Sequence, residues 1–212
     1  MNERERFSRL MAYEPIDRLP VLALEPYEET ALARWRQEGL PADADVVDFL
    51  GMARLIHVPV SLGPSPAFEC RVLSDDGEYI VQTTNLGATV RCRKDNPSMF
   101  YGYIDHPIKT RTDWEAYKER LPIPTSDQLP AGWDQALIAR LAASGNPVGI
   151  CPFPFFFRFG FYTMGMARFL TAFHDEPEMM HDMFAHYGAY VAATIHPVLD
   201  RLPLDYAVFC DD

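Results

Sequence analysis

Residues 19–24 read "LPVLAL" and are apolar at every position, whereas a strand with one face in solvent alternates apolar and polar residues. Successive side chains of a strand point to opposite faces, so this pattern indicates a strand covered on both sides, as parallel strands are between helices. "RLIHVPV" at 54–60 is a second such run, and further apolar runs lie near residues 148 and 205. Helical patterns separate these four runs, and the alternation predicts βαβ units with a parallel sheet.

The turn after the first strand narrows the fold class. Residues 24–30, "LEPYEET", contain no glycine-rich phosphate loop, which disfavours a dinucleotide-binding, doubly wound sheet. A (β/α)8 barrel fits the pattern, but eight units need about 250 residues and only four are found here. We therefore predict one α/β domain over 1–212, of TIM (β/α)8-barrel type and truncated to about half a barrel.

An insertion interrupts the alternation. "CRVLSDDGEYIVQTT" at 70–84 is two β-rich runs around Asp76-Gly77, a strong hairpin signal, and "ATVRCR" at 88–93 offers a third strand. These runs predict an antiparallel β-flap over about 68–95, outside the parallel sheet.

Capping residues predict several helix starts. Asn2 caps the first helix, Asp43 caps a short one through Leu50, and Thr112 with Glu115 forms a capping box.

Later in the chain, prolines set the expected boundaries. Two prolines inside "PVGICPFPFFF" at 147–157 predict a short strand with an irregular tail, followed by a helix near 164–173. Pro177 suits the first turn of a long helix that reaches about residue 202.

Composition and charge limit the classes of molecule that the chain is expected to bind. Formal net charge is −11, from 30 acidic against 19 basic residues, which disfavours nucleic acid and anionic membranes as partners. The N-terminal residues have no apolar signal core, and no run approaches the length of a membrane span. Four cysteines without a CxxC pair are typical of reduced thiols in a cytoplasmic protein.

Five stretches, in this order, resemble the uroporphyrinogen decarboxylase superfamily across nearly the whole sequence. They are "RERFSRLMAYEPIDRLPV" (4–21), "HPIKTRTDWEAYKERLP" (106–122), "NPVGI" (146–150), "DEPEMMHDMF" (175–184) and "DYAVFCDD" (205–212). They correspond to the N-terminal part of that family's barrel. The family includes the haem-pathway decarboxylase, which needs no cofactor, and zinc-dependent methyltransferases acting on corrinoid-bound or thiol methyl groups.

Two departures separate this chain from the decarboxylase branch. Where the decarboxylase has an Arg-Gln-Ala-Gly-Arg stretch that meets substrate carboxylates, residues 24–30 are acidic. Where it carries an essential Asp after its second strand, residues 57–66, "HVPVSLGPSP", contain no acid. The flap followed by "LGATVR" at 86–91 is more similar to the methyltransferase branch. The resemblance thus implies a divergent cytoplasmic enzyme of one-carbon methyl transfer, with uroporphyrinogen decarboxylation for porphyrin biosynthesis as the alternative.

Candidate site residues follow from the strand ends, because the carboxyl ends of barrel strands form the active face. Glu25 and Tyr27 follow the first strand, Arg158 the third, and Asp211 and Asp212 the fourth. We predict Glu25, Tyr27 and Arg158 as substrate-binding residues, Arg158 among aromatic side chains as a carboxylate clamp. The alternatives are a solvated loop acid at Glu25 and an ion pair at the rim for Arg158.

The two terminal aspartates cannot both face the barrel mouth, because side chains alternate along a strand. In the resembling decarboxylase this strand ends in an Asp-Ser pair whose Ser contacts substrate, which implies Asp212 as the substrate-facing catalytic acid. Asp211 is then a structural partner to a neighbouring loop. The alternative is a frayed acidic terminus with neither role.

No metal site is predicted from the residues themselves, since His174, His181 and His186 have unsuitable spacing and HExxH is absent. The resemblance implies that zinc ligands, a His-x-Cys pair and a later Cys, would lie beyond residue 212. We therefore expect no cofactor bound by this chain alone, with zinc and a corrinoid partner for a full-length methyltransferase.

A hypothesis of a different class remains open. It is a non-catalytic half-barrel that acts by pairing with a second copy or with a complementing half-barrel chain, because the outer strands of half a barrel have bare edges.

Overall fold

In a computed structural model, the chain is described over residues 1–23, 27–124 and 132–209, with the backbone only for residues 23 and 96–101. The helices are α1 (Glu3–Met11), α2 (Glu29–Gln37), α3 (Val46–Phe49), α4 (Arg111–Lys118), α5 (Gln135–Ala142), α6 (Phe156–Met164), α7 (Met166–Asp175) and α8 (Pro177–Leu199). The strands are β1 (Leu22–Ala23), β2 (Ala53–Arg54), β3 (Ile56–His57), β4 (Val72–Asp75), β5 (Tyr79–Thr83), β6 (Thr89–Arg93), β7 (Asn96–Asp105), β8 (Val148–Ile150) and β9 (Tyr206–Ala207).

The four predicted apolar strands lie side by side and run parallel. β1 pairs with β2, β3 pairs with β8, and β8 pairs with β9, every pair parallel. Only Leu55 separates β2 from β3, so strand neighbours follow the order of the chain. The fold is mixed α/β as predicted, and the described strands do not close into a barrel.

The predicted flap is a separate antiparallel sheet of order β4-β5-β6-β7. Its hairpin turns at Gly77, which has φ +95°, a backbone conformation that glycine adopts without steric cost. The Asp76 carboxylate accepts hydrogen bonds from the N–H groups of Glu78 and Tyr79 and fixes the turn. The sheet is longer than predicted, because β7 adds a fourth strand and extends it to Asp105.

Of the three predicted caps, one is confirmed and two are wrong by two residues. The side chain of Asn2 accepts a hydrogen bond from within the first turn of α1. Asp45 rather than Asp43 caps α3, and Thr110 rather than Thr112 caps α4. Each wrong choice lies within a polar stretch that holds two overlapping capping patterns, and the hydrophobic period alone does not separate them.

The predicted short strand with an irregular tail is confirmed, since β8 ends at Ile150 and residues 151–155 form neither helix nor strand, whereas the helix α6 that follows was not predicted. Both prolines of the run, Pro152 and Pro154, precede the start of α6 at Phe156 and interrupt nothing inside it. Gly165, with φ +79°, separates α6 from α7, which is the helix predicted near 164–173.

The chain divides into two compact units. The first comprises Met1–Pro59, Ala131–Cys151 and Leu199–Val208 and holds the parallel strands. The second comprises Val60–Pro130, Pro152–Val198 and Phe209–Asp212 and holds the antiparallel sheet. In the second unit, a buried cluster surrounds Tyr187 of α8, whose ring stacks on Phe159 with centroids 3.9 Å apart.

Within the first unit, α1 is fastened to the amino-terminal side of the parallel strands. The Arg4 guanidinium lies 2.8 Å from the Asp205 carboxylate, which also accepts the N–H of Val148 at 2.8 Å. The buried guanidinium of Arg6 binds Asp17 through two hydrogen bonds of 2.7 and 2.9 Å. These contacts place Asp17 in a structural role, since they join α1 to the segment that leads into β1.

Candidate functional site

Three residues on neighbouring parallel strands form one row across the sheet. His57 of β3 is in register with Gly149 of β8, and Gly149 is in register with Tyr206 of β9. Residues in register on parallel strands point to the same face. The Tyr206 hydroxyl lies 3.3 Å from His57 Nδ1, and the two rings meet edge to face with centroids 5.8 Å apart. The row thus joins two chemistry-bearing side chains from strands that are not neighbours.

Gly149 makes this contact sterically possible. Strands in a sheet are about 4.8 Å apart, so His57 and Tyr206 are separated by roughly 10 Å of backbone. The Tyr206 ring covers Gly149, and a Cβ added to Gly149 would lie 2.5 Å from three of the ring carbons. Any side chain at residue 149 would therefore occupy the space through which Tyr206 reaches His57.

The surroundings keep the Tyr206 phenol protonated. Burial raises the pKa of Tyr206, and the neighbouring Cys151 and Asp205 raise it further. The ring also contacts Phe7 of α1 edge to face, with centroids 6.1 Å apart. A neutral phenol with a fixed ring is a hydrogen-bond donor of defined direction.

The row runs from the carboxyl end of β3, across the middle of β8, to Tyr206, the first residue of β9. His57 is the last residue of β3, and Cys151 follows β8 directly, two positions beyond Gly149. Alternation along the strand directs Cys151 to the same face as Gly149. Ligands of α/β proteins bind outside the carboxyl ends of parallel strands, so His57 and Cys151 occupy the expected position for a site, and Tyr206 reaches His57 from the start of its own strand.

Tyr27, predicted from the sequence, belongs to the same compact unit. Its hydroxyl donates to the Met52 sulfur at 3.4 Å, and its ring packs on Trp35 with centroids 5.1 Å apart. Trp35 also lines an open groove of about 390 Å³ together with Leu40 and Phe49. Tyr27 is thus held by α2 and by the segment before β2.

Arg158, also predicted, lies on α6 in the second unit among aromatic rings. Its Nη1 donates to the Tyr162 hydroxyl at 3.3 Å, and its guanidinium carbon lies 5.7 Å from the ring centroid of Phe153. Burial raises the pKa of Tyr103, whose ring stacks on Tyr162 at 5.5 Å, and the Arg158 charge opposes that increase. The predicted aromatic surroundings of Arg158 are confirmed, and its role as a carboxylate clamp stays a prediction.

The other predicted site residues, Glu25, Asp211 and Asp212, lie outside the described residues. Their assignments stay predictions. Tyr27 and Arg158 belong to different compact units and are each described in their own unit.

Among the side chains that the structure describes, no group of three or more His, Cys, Asp or Glu is placed to hold a metal ion. The described residues therefore do not provide the donor set of a zinc site.

The row itself was not predicted from the sequence. A glycine inside the apolar run "PVGI" was a usable signal, because glycine within a strand marks a place where another group approaches closely. The partner strands and their register are set by long-range pairing, so the pattern alone did not identify His57 or Tyr206.

Comparisons with protein-family models, with curated proteins and with solved structures gave no match to this chain. Within the described ranges, none of the helices combines the length and the apolar character needed to cross a membrane.

Proposed function

We propose that the chain corresponds to the first half of a (β/α)8 barrel of the uroporphyrinogen decarboxylase type. The support is the order of the parallel strands. Each parallel strand is next to the one that precedes it in the chain, in the order β1, β2 and β3, β8, β9, as in a singly wound barrel. A doubly wound sheet instead reverses its strand order at a switch point.

The proposed activity is one-carbon methyl transfer on a small molecule in a cytoplasmic enzyme. The observation that carries an enzymatic function is the row of His57, Gly149 and Tyr206 across the parallel strands, with Cys151 directly after β8. The two polar side chains meet across Gly149, and a glycine within a strand often marks a place where another group approaches closely. The choice of methyl transfer within the family rests on the sequence resemblance, including the acidic segment at 24–30.

The proposed roles of the predicted residues follow the resemblance. Asp212 is the substrate-facing acid and Asp211 its structural neighbour, while Glu25, Tyr27 and Arg158 contact substrate. Zinc and a corrinoid partner would supply methyl-group activation in a full-length enzyme. The described residues offer no zinc site, so no step of the proposal depends on metal binding by them.

The test uses the natural gene product, with its intact mass recorded. Incubation with methylcobalamin and a panel of small thiols should produce demethylated corrinoid, which absorbance spectra detect. Boiled protein and a sample without thiol serve as controls. Failure to demethylate the corrinoid with any acceptor class, in protein verified as folded, would contradict methyl transfer.

Uroporphyrinogen serves as the competing substrate. We expect no coproporphyrinogen from it, because Glu28 and Glu29 would repel a polycarboxylate where the decarboxylase has arginines. Measurable coproporphyrinogen formation would favour decarboxylation instead.

The two aspartates are distinguished by substitution in the active protein. Asp212→Asn should reduce rate or substrate affinity, whereas Asp211→Asn should act through stability. Loss of activity in Asp211→Asn alone would reverse the two assignments.

One observation favours the non-catalytic alternative. Among the described residues, β1 pairs only with β2 and β9 pairs only with β8, so the first and fourth strands both form edges of the parallel arrangement. Edges of this kind pair with other chains. Sedimentation of the natural gene product decides between the alternatives: a stable complex with a second half-barrel and no activity would favour the pairing role.

A further inference from the structure

The open groove of the first unit lies between the end of α2 and the short helix α3. Its volume of about 390 Å³ falls within the range of small-molecule sites, about 300–1,000 Å³. Two of its apolar side chains, Phe49 and Leu50, are 56% and 53% exposed, so a ligand can reach them from solvent. Five apolar side chains and one carboxylate belong to its lining: Trp35, Leu40, Val46, Phe49, Leu50 and Glu38.

The Trp35 indole is held in place before a ligand binds. Its half-buried ring packs on the Tyr27 ring, with centroids 5.1 Å apart and an angle of 64° between the planes. The Tyr27 hydroxyl in turn donates to the Met52 sulfur at 3.4 Å. Among aromatic side chains, tryptophan attracts a cation most strongly. Trp35 therefore gives the groove an aromatic surface of fixed position that suits a positively charged group.

Glu38 places a carboxylate in the same groove, three residues after Trp35. Its Oε1 accepts a hydrogen bond from Arg34 Nε at 2.8 Å, and its side chain is 54% exposed. A carboxylate has about four acceptor sites on its two oxygens, so one hydrogen bond from Arg34 leaves acceptor capacity for a ligand.

The charges around the groove also favour a cation. Residues 29–54, which contain the whole lining, include five acidic and three basic residues, a net charge of −2. The Arg54 guanidinium is shared between two carboxylates, those of Asp45 and Asp48. The groove adjoins the C-terminal end of α2, where the helix dipole is negative and attracts positive charge. An anionic ligand would meet repulsion from both sources.

We propose that this groove binds an apolar ligand that carries an ammonium group, such as an alkylammonium or arylammonium ion. The apolar part packs against Phe49 and Leu50, and the ammonium donates to the Glu38 carboxylate beside the Trp35 ring. A neutral or anionic ligand of the same apolar size lacks these two attractions. None of the lining residues belongs to the row across the parallel strands, and the proposal rests neither on methyl transfer nor on the barrel assignment.

The first experiment compares three ligands with the same six-carbon chain: hexylammonium, 1-hexanol and hexanoate, at constant ionic strength. Indole N–H signals of the ¹⁵N-labelled chain report binding, and Trp35→Phe identifies the Trp35 signal among those of the three tryptophans. Hexylammonium should shift that signal saturably. An exposed cation–π contact and an exposed ion pair each correspond to roughly a 2- to 5-fold gain, so hexylammonium should bind roughly 5- to 20-fold more tightly than 1-hexanol. Hexanoate should bind most weakly.

The second experiment removes the carboxylate. Glu38→Gln should weaken hexylammonium binding by roughly 2- to 5-fold and leave 1-hexanol binding unchanged. Glu14→Gln is the matched control, because it removes the same charge from an exposed position in the same unit. Its affinity for hexylammonium should equal that of the natural chain.

The third experiment removes the aromatic ring but keeps an apolar wall. Trp35→Leu should weaken hexylammonium relative to 1-hexanol by roughly 2- to 5-fold, as the methyl signals of Leu50 report. If this variant does not fold, the comparison of Glu38→Gln with Glu14→Gln decides the question.

Equal binding of hexylammonium and 1-hexanol by the natural chain would overturn the proposal. So would equal effects of Glu38→Gln and Glu14→Gln on hexylammonium binding. Self-association that Phe49→Ala abolishes, in a chain that does not bind hexylammonium, would assign the groove to a second copy and would likewise overturn it.

Discussion

Gly160 of α6 and Gly188 of α8 are both helical glycines in the second unit, and replacing each by alanine should have opposite effects. A Cβ at Gly160 would overlap the ring of Phe169, with even the third-nearest ring atom only 2.6 Å away. A Cβ at Gly188 would lie 3.6 Å from the Phe156 ring, which is ordinary contact. Alanine at Gly160 thus reports the cost of overpacking, whereas alanine at Gly188 reports the gain in helix propensity alone.

The magnitude for Gly160→Ala follows from how firmly Phe169 is held. Carbon atoms pack at about 3.5–4.0 Å, so the ring would have to move by roughly 1 Å or more. Phe169 is 2% exposed and lies against Phe157 and Phe173, with centroids 5.5 and 5.2 Å away. Overpacking costs about 1–3 kcal/mol, and the severity of the overlap favours the upper end. The helix propensity of alanine returns about 1 kcal/mol, which leaves a net destabilisation of about 2 kcal/mol.

Gly188→Ala should stabilise the chain by about 0.5–1 kcal/mol, because it gains helix propensity without a clash. Urea unfolding followed by circular dichroism gives the change in the free energy of unfolding for each variant. At about 2–4 °C per kcal/mol, the melting temperatures of the two variants should differ by roughly 5–12 °C. Because α6 also carries Arg158, Gly160→Ala should shift the environment of that side chain too.

Either of two results would refute this reasoning. One is a Gly160→Ala variant as stable as the natural chain, and the other is a shift of both variants in the same direction. Phe169→Leu provides a check on the cause, since Gly160→Ala should cost less in that background than in the natural one.

Three further predictions concern buried polar contacts of the second unit. Asp182→Ala should lower the free energy of unfolding by about 1–3 kcal/mol, because the buried Trp114 indole N–H loses its 2.6 Å acceptor. Asp182→Asn keeps an acceptor oxygen and should lower the free energy of unfolding by less. Chemical denaturation measures both changes. Hydrogen bonds from Lys118 and Trp114 lower the pKa of Asp182 in the folded chain. Its contribution to stability should therefore be present above about pH 4, the pKa of an unfolded aspartate, and should disappear as the pH falls through the lower folded-state pKa. The difference in unfolding free energy between the natural chain and Asp182→Asn should therefore shrink in acid, and a constant difference down to pH 2 would contradict the assignment. Tyr187→Phe should cost about 1–2 kcal/mol in urea unfolding, because its buried hydroxyl donates to the carbonyl of Pro154 at 2.7 Å and lies 3.3 Å from that of Leu62. A neutral substitution would show that these carbonyls have other partners.

The local sequence predicted elements whose cause is local. The run at 19–24 indicated a strand, Asp76-Gly77 indicated a hairpin, and Asn2 indicated a helix start, since each signal lies within a few residues of the feature it produces. The expected burial of the first strand on both faces is wrong for Leu19 and Val21, which are 71% and 55% exposed. Pro152 and Pro154 likewise indicated the irregular chain after β8, but the aromatic residues that follow gave no recognised helical signal, and α6 was not predicted.

The candidate site depended on information of another kind. Gly149 was visible as a glycine in a strand, but its alignment with His57 and Tyr206 comes from pairing between segments far apart in the chain. Pairing of this kind is decided by packing of the whole unit, so no short window contains it. The sequence analysis looked for functional side chains at strand ends, and register was needed to find which side chains meet.

The row across the sheet has a consequence for sequence variation among relatives of this chain. A side chain at residue 149 would occupy the space of the ring at residue 206. A relative that gains a side chain at 149 must therefore have a smaller residue at 206, and a relative with glycine at 149 has room for a ring there. The identity of residue 57 should follow the same pair, since an imidazole there loses its contact with the Tyr206 ring once that ring is gone. Three positions on three strands are therefore expected to change together, and their joint pattern would mark which relatives retain the contact between Tyr206 and His57.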